Sequence, residues 1–154
     1  MAMTFTTVKN TNQETVIHFT SSASEAGTIS LNSLAATTQA LTVGGTPTVK
    51  IVKFICMGEL GSKVTVTRNS KIVIACAPEN APYSEFNAWG IPVTNDSTYD
   101  IIVTNGAAKD VSGWIVLHKE SGWSTKVEAS TYGAYDDETR VGASTTLSGS
   151  PDKV

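Results

Sequence analysis

Between Thr46 and Ala77 the chain runs through three β-rich segments divided by turn signals, and this stretch most restricts the fold. The first segment covers Val49 to Met57, and a Gly-Glu-Leu-Gly-Ser turn follows. The second is Lys63 to Arg68 and the third is Lys71 to Ala77. Runs of β-branched residues punctuated this way are consecutive antiparallel strands. Val64, Val66 and Arg68 share one face of the second run, and Lys63, Thr65 and Thr67 share the other. A two-residue turn at Asn69-Ser70 pairs Val66 with Val73 and Val64 with Ala75. A three-residue turn ending at Lys71 pairs Val66 with Ile74 and Val64 with Cys76. The second register gathers the larger side chains on one face, so the longer turn is expected. The first run is apolar at both parities apart from Lys50 and Lys53, the pattern of a central strand covered on both faces.

The chain has 154 residues, room for one domain with a real core plus arms. Charged residues make up 16%, against about 25% in an average soluble protein, and Ser and Thr fill the polar positions. A Thr-rich, charge-poor surface suits strands and also suits a surface covered by a partner. With a net charge of −3 the chain has no basic stripe for phosphates, so no nucleic-acid partner is expected. No apolar run reaches the roughly 18 residues of a membrane span, and the N-terminus lacks the pattern of a signal peptide. Cys56 and Cys76 read as buried small hydrophobes; nothing in the sequence decides whether they meet.

Taken in order, residues 1–12 read as an N-terminal arm containing a short strand, and residues 13–122 as the body. Strands are expected at Glu14–Thr20, Gly27–Leu31, Tyr99–Thr104 and Trp114–Lys119. Asn32 to Val43 reads either as a short helical turn capped by Asn32 or Ser33 or as a bent strand. Three prolines and a glycine exclude long regular structure between Pro78 and Pro92. Its rings Tyr83, Phe86 and Trp89 either plug the end of the core or form a contact patch for a subunit or a sugar. Residues 123–154 read as an extended C-terminal arm whose far part has a disorder-like composition. About eight short strands with almost no helical periodicity predict an all-β antiparallel β-sandwich, either jelly-roll or immunoglobulin-like.

No chemical constellation emerges. Asp136-Asp137-Glu138 lacks the alternating oxygen ligands of a calcium loop. His18 and His118 lie far apart with no nucleophile or metal motif around them. The residues thus predict neither a catalytic site, nor a metal, nor a cofactor, and therefore no enzyme.

Five segments carry a resemblance: Lys63-Val-Thr-Val-Thr-Arg-Asn-Ser, Trp89-Gly-Ile-Pro, Ser97-Thr-Tyr-Asp-Ile-Ile-Val-Thr, Trp114 to Trp123, and Lys126 to Asp137. Together they resemble small virion structural proteins of contractile-tailed phages of marine cyanobacteria, over about Lys50 to Asp137. The resemblance implies a non-enzymatic virion component, with head decoration or cementing as the first expectation. A neck, tail or baseplate position is the second. Implied partners are copies of itself and other virion proteins, the major capsid protein above all, with no membrane. The expected subunit contacts are Phe5, Tyr83, Phe86, Trp89, Trp123, Tyr132 and Tyr135. The competing expectation is a glycan-binding module that stacks sugars on Trp89 and Tyr83.

Overall fold

The computed structural model describes residues 3–85 and 98–125. The described strands are β1 (Thr4–Asn10), β2 (Glu14–Ser21), β3 (Glu25–Ile29), β4 (Gln39–Leu41), β5 (Val49–Gly58) and β6 (Val64–Arg68). They continue with β7 (Lys71–Cys76), β8 (Tyr83–Glu85), β9 (Ile101–Asn105), β10 (Val111–Lys119) and β11 (Trp123–Thr125). Short 3₁₀ turns occupy Leu31–Ser33 and Pro78–Asn80. The ambiguous stretch from Asn32 to Val43 therefore holds the end of one such turn and then β4.

The strands form an antiparallel sandwich. One sheet has the order β1-β2-β10-β5-β8, the other β3-β9-β6-β7, and β4 pairs with β11 in a small third sheet. The pairs β2·β10, β3·β9, β5·β8 and β6·β7 are nested along the sequence, with β3·β9 inside β2·β10 and β6·β7 inside β5·β8. A long hairpin ribbon rolled onto itself has this nesting, so the topology is a jelly roll. An immunoglobulin domain would instead set its second strand beside its fifth and its third beside its sixth.

Alternation places the core. Ile17 and Phe19 of β2, Ile115 and Leu117 of β10, and Ile51 and Phe54 of β5 point inward from the larger sheet. Val64, Val66, Ile101 and Val103 meet them from the other. Phe19 and Phe54 stack with ring centroids 6.0 Å apart. Gly113, inside β10, exists to admit Phe19: a Cβ there would lie 2.6 Å from Phe19 Cζ and against the Ile55 carbonyl. The strand expected from Trp114 thus begins three residues earlier, at Val111.

The central register comes out as expected by a different route. Val66 faces Ile74 and Val64 faces Cys76. Yet the turn is the two-residue one, with Asn69 and Ser70 both at positive φ, 48° and 63°. Val73 makes up the odd residue as a bulge, since the register shifts between Val66 and Thr67.

Two boundaries change. Residues 4–10 pair with β2 as the edge strand of the larger sheet, so most of the expected N-terminal arm belongs to the body. The expected C-terminal arm starts with β11, which is hydrogen-bonded to β4. Residues 126–154 lie outside the described residues.

Candidate interaction surface

The roll encloses packed side chains. Phe19, Phe54, Ile51, Ile101, Ile115 and Leu117 are each below 2% exposed. Polar groups inside sit at the two ends and, apart from Ser62 Oγ, are hydrogen-bonded among the described residues. At one end Lys119 Nζ donates to Asn10 Oδ1 (2.7 Å), the Thr11 carbonyl (2.8 Å) and Gln39 Oε1 (2.8 Å). Burial pushes the Lys119 ammonium down to about 8. Arg68 donates to the Val49 carbonyl (2.9 Å) and through Nε and Nη2 to the Tyr99 carbonyl (3.0 and 2.8 Å). At the opposite end Asn105 Nδ2 donates to the Lys109 carbonyl (2.8 Å). Among the described residues no three His, Cys, Asp or Glu side chains gather as a metal would need. A rim groove of about 280 Å³, bordered by Ser21, Glu25 and Asp110, opens between the sheets.

The two outer faces differ in character. On the larger sheet, register aligns His18, Trp114, Ile55 and Tyr83 across four strands. The His18 ring lies 4.6 Å from Trp114 and its Nε2 is 2.9 Å from Ser112 Oγ. Ion pairs are laid over this face: Lys9–Glu14 (2.8 Å), Lys50–Glu120 (2.9 Å) and Lys53–Glu85 (3.4 Å). The doubly apolar β5 thus turns Ile55 and Met57 outward, Met57 at 40% exposure.

Two rows without a charged residue cross the outer face of the smaller sheet. One runs Thr28, Ile102, Thr67, Ile72, and the second runs Ala26, Thr104, Thr65, Ala75. All eight side chains are exposed or half-exposed, Ile72 at 62%. Two isoleucines standing on a bed of threonines and alanines make a flat, short-chained apolar surface.

The ring residues expected as contacts do not form one patch. Phe5 points inward from β1, its Cζ 2.9 Å from where a Gly27 Cβ would be, and it packs on the core. Trp123 also packs on the core, donates its indole N–H to the Thr48 carbonyl (3.2 Å) and lies beside Lys119. Both rings are structural, because inward positions of an edge strand and of a closing strand must be filled. Tyr83 stands on the larger sheet at 56% exposure, its hydroxyl donating to Glu85 Oε1 (2.7 Å). That carboxylate holds the phenol proton on and raises the Tyr83 pKa. Phe86, Trp89, Tyr132 and Tyr135 lie outside the described residues. Ile72 and Ile102 were missed. Their local signal is the Thr65/Thr67 alternation, but only the pairing of β9, β6 and β7 brings the rows together.

The chain matches no family model and no curated protein. Among solved structures, the protein TT1209 from Thermus thermophilus is 12% identical with a TM-score of 0.38, over 76% of this chain and 83% of that one. A Klebsiella pneumoniae protein with a double-stranded β-helix domain is 6% identical with a TM-score of 0.38, over 82% and 86%. A proposed mannose-6-phosphate isomerase from Ralstonia eutropha is 7% identical with a TM-score of 0.33, over 77% and 85%. The exclusion of an enzyme drawn from the sequence does not stand. A roll brings side chains together from strands distant in sequence, so the lack of a local motif excludes no catalysis. At these scores the likenesses assign this chain neither substrate nor reaction.

Proposed function

We propose that this chain is an assembly subunit, a bacteriophage virion structural protein that docks through the outer face of its β3-β9-β6-β7 sheet. The carrying observation is the charge-free pair of rows across that face. Its occupant is a second copy of the chain. Two identical pairs of uncharged rows meet about a two-fold axis without like-charge repulsion between them, the isologous arrangement of most homo-oligomers. On the larger sheet the single uncharged row, His18, Trp114, Ile55 and Tyr83, is flanked by the Lys53–Glu85 ion pair.

Size bears on the setting. Four strands about 4.8 Å apart, crossed by two rows, give a footprint of roughly 300 Å². A stable pairwise interface needs about 800 Å² per partner. A face this small works where each copy is held at several points at once, as in a particle shell. Head decoration on the major capsid protein is the first placement, following the resemblance of the sequence, and a neck, tail or baseplate position the second.

Sedimentation of the full chain at rising concentration tests the face, wild type against Ile72→Lys with Ile102→Lys. Wild type should self-associate weakly, and the variant should stay monomeric with unchanged circular dichroism. A wild type that remains monomeric at millimolar concentration, or a variant that associates equally, would overturn the docking face. Mass spectrometry of purified particles from the phage encoding the chain tests the virion assignment; its absence there would end it.

A further inference from the structure

Cys56 and Cys76 come from opposite sheets and meet inside the sandwich. Cys56 is fully buried on β5, Cys76 is half-buried at the end of β7, and both are free thiols. Each thiol perturbs the titration of the other, as two neighbouring side chains do. The backbone explains the meeting. The β6·β7 register turns Cys76 inward opposite Val64, and Cys76 packs on the cluster that contains Cys56. Beyond Cys76 the chain crosses through the 3₁₀ turn at Pro78–Asn80 to Pro82, whose carbonyl accepts from the Cys56 N–H at 3.2 Å.

We propose that Cys56 and Cys76 form a reversible intramolecular disulfide that bolts the two sheets together in oxidising surroundings. The pair is asymmetric in a way that orders the chemistry. The neighbouring Cys56 holds the Cys76 thiol below its ordinary value, while Cys76 and burial push Cys56 up. Cys76, the more accessible, attacks a small-molecule disulfide as the thiolate and expels one thiolate from it. Cys56 then gives up its proton and attacks the Cys76 sulfur, expelling the second. One external disulfide is reduced to two thiols, and two protein thiols are oxidised to one disulfide. The link closes a loop of about 20 residues around the β6·β7 hairpin and removes freedom from the unfolded chain. A reducing interior leaves the pair open and an oxidising medium closes it.

The test is incubation of the folded full chain with oxidised glutathione, then alkylation and non-reducing tryptic mapping. The expected product is a monomer lighter by two hydrogens, with the peptide Phe54–Lys63 joined to Ile72–Lys109. Its melting midpoint should rise by on the order of 5–10 °C and fall back with dithiothreitol. Cys76→Ser should leave Cys56 reduced under the same treatment. A glutathione adduct persisting on Cys76, or a disulfide-linked dimer as the main product, would overturn the proposal. The wild-type map decides the matter even if a serine variant folds poorly.

Discussion

Lys119 Nζ lies 5.1 Å from the centre of the Trp123 ring, and through this contact the end of the chain body closes the core. Lys119 ends β10 and is 4% exposed, and its three hydrogen-bond acceptors are all neutral. The indole face supplies the negative side of its quadrupole where no carboxylate stands. The one ammonium thereby ties together the end of β1, the following turn, β4 and β11.

The pH dependence of stability follows from this burial. The Lys119 pKa is about 8 in the folded chain against 10.5 as the ordinary value. Between these values the unfolded chain holds a proton that the folded chain has lost, so this group raises stability as pH rises. Its penalty is fully present below pH 8. Lys119→Met removes the effect and leaves three acceptors short of a donor, at a cost of about 1–3 kcal/mol. Urea unfolding of both proteins at several pH values from 7 to 10 checks it. The wild-type advantage should widen with pH; a constant or shrinking gap would refute the assignment.

Trp123 opens β11, the last strand among the described residues. Its ring packs on the core and its N–H is bonded to Thr48. Trp123→Ala should therefore destabilise the body by about 2–4 kcal/mol. Truncation after Thr125 keeps every described strand and should retain one cooperative unfolding transition. Truncation before Trp123 should not. Thermal melts of the three proteins distinguish these outcomes.

Local chemistry made much of this fold legible. Alternation in Val64–Arg68 and the bulk of Ile74 and Cys76 suffice to pair those strands correctly. The Glu14–Thr20 run, the body of β5 and the doubling of apolar positions at Ile55 could all be read off the residues. Three things could not. The nesting of β2·β10 around β3·β9 depends on contacts far apart in sequence, so jelly roll and immunoglobulin fold looked alike. Phe5 and Trp123 looked like contact rings because aromatic residues among small polar ones read the same way in an arm and in an edge strand. The charge-free rows need three strand registers at once, none of which a single segment displays.

The β6·β7 turn carries a correctable cost. Ser70 sits at φ +63°, a conformation that glycine adopts freely and a side chain resists. Asn-Gly is the preferred pair for this turn type. Ser70→Gly should stabilise the chain by roughly 0.5–1 kcal/mol, less the extra freedom glycine gives the unfolded chain. Denaturant midpoints with an unchanged slope would register it. A loss of stability would show that the turn is held by contacts of the Ser70 side chain instead.

Gly113 offers the sharpest test of packing. Phe19 Cζ occupies the space 2.6 Å from a Cβ at this position, and the Ile55 carbonyl closes the other side. Neither neighbour can yield freely: Phe19 is 0% exposed and stacked on Phe54, and Ile55 is paired directly with Trp114 in the sheet. Gly113→Ala should then cost about 2–3 kcal/mol or more, although alanine is the better strand residue on propensity alone. Phe19→Leu leaves a void of its own, yet it frees the ring volume that the new methyl group needs. The double variant should consequently lose less than the two single losses added together, a coupling of about 1 kcal/mol or more. Strict additivity in urea unfolding would mean that the methyl group is rejected by the Ile55 backbone rather than by the Phe19 ring.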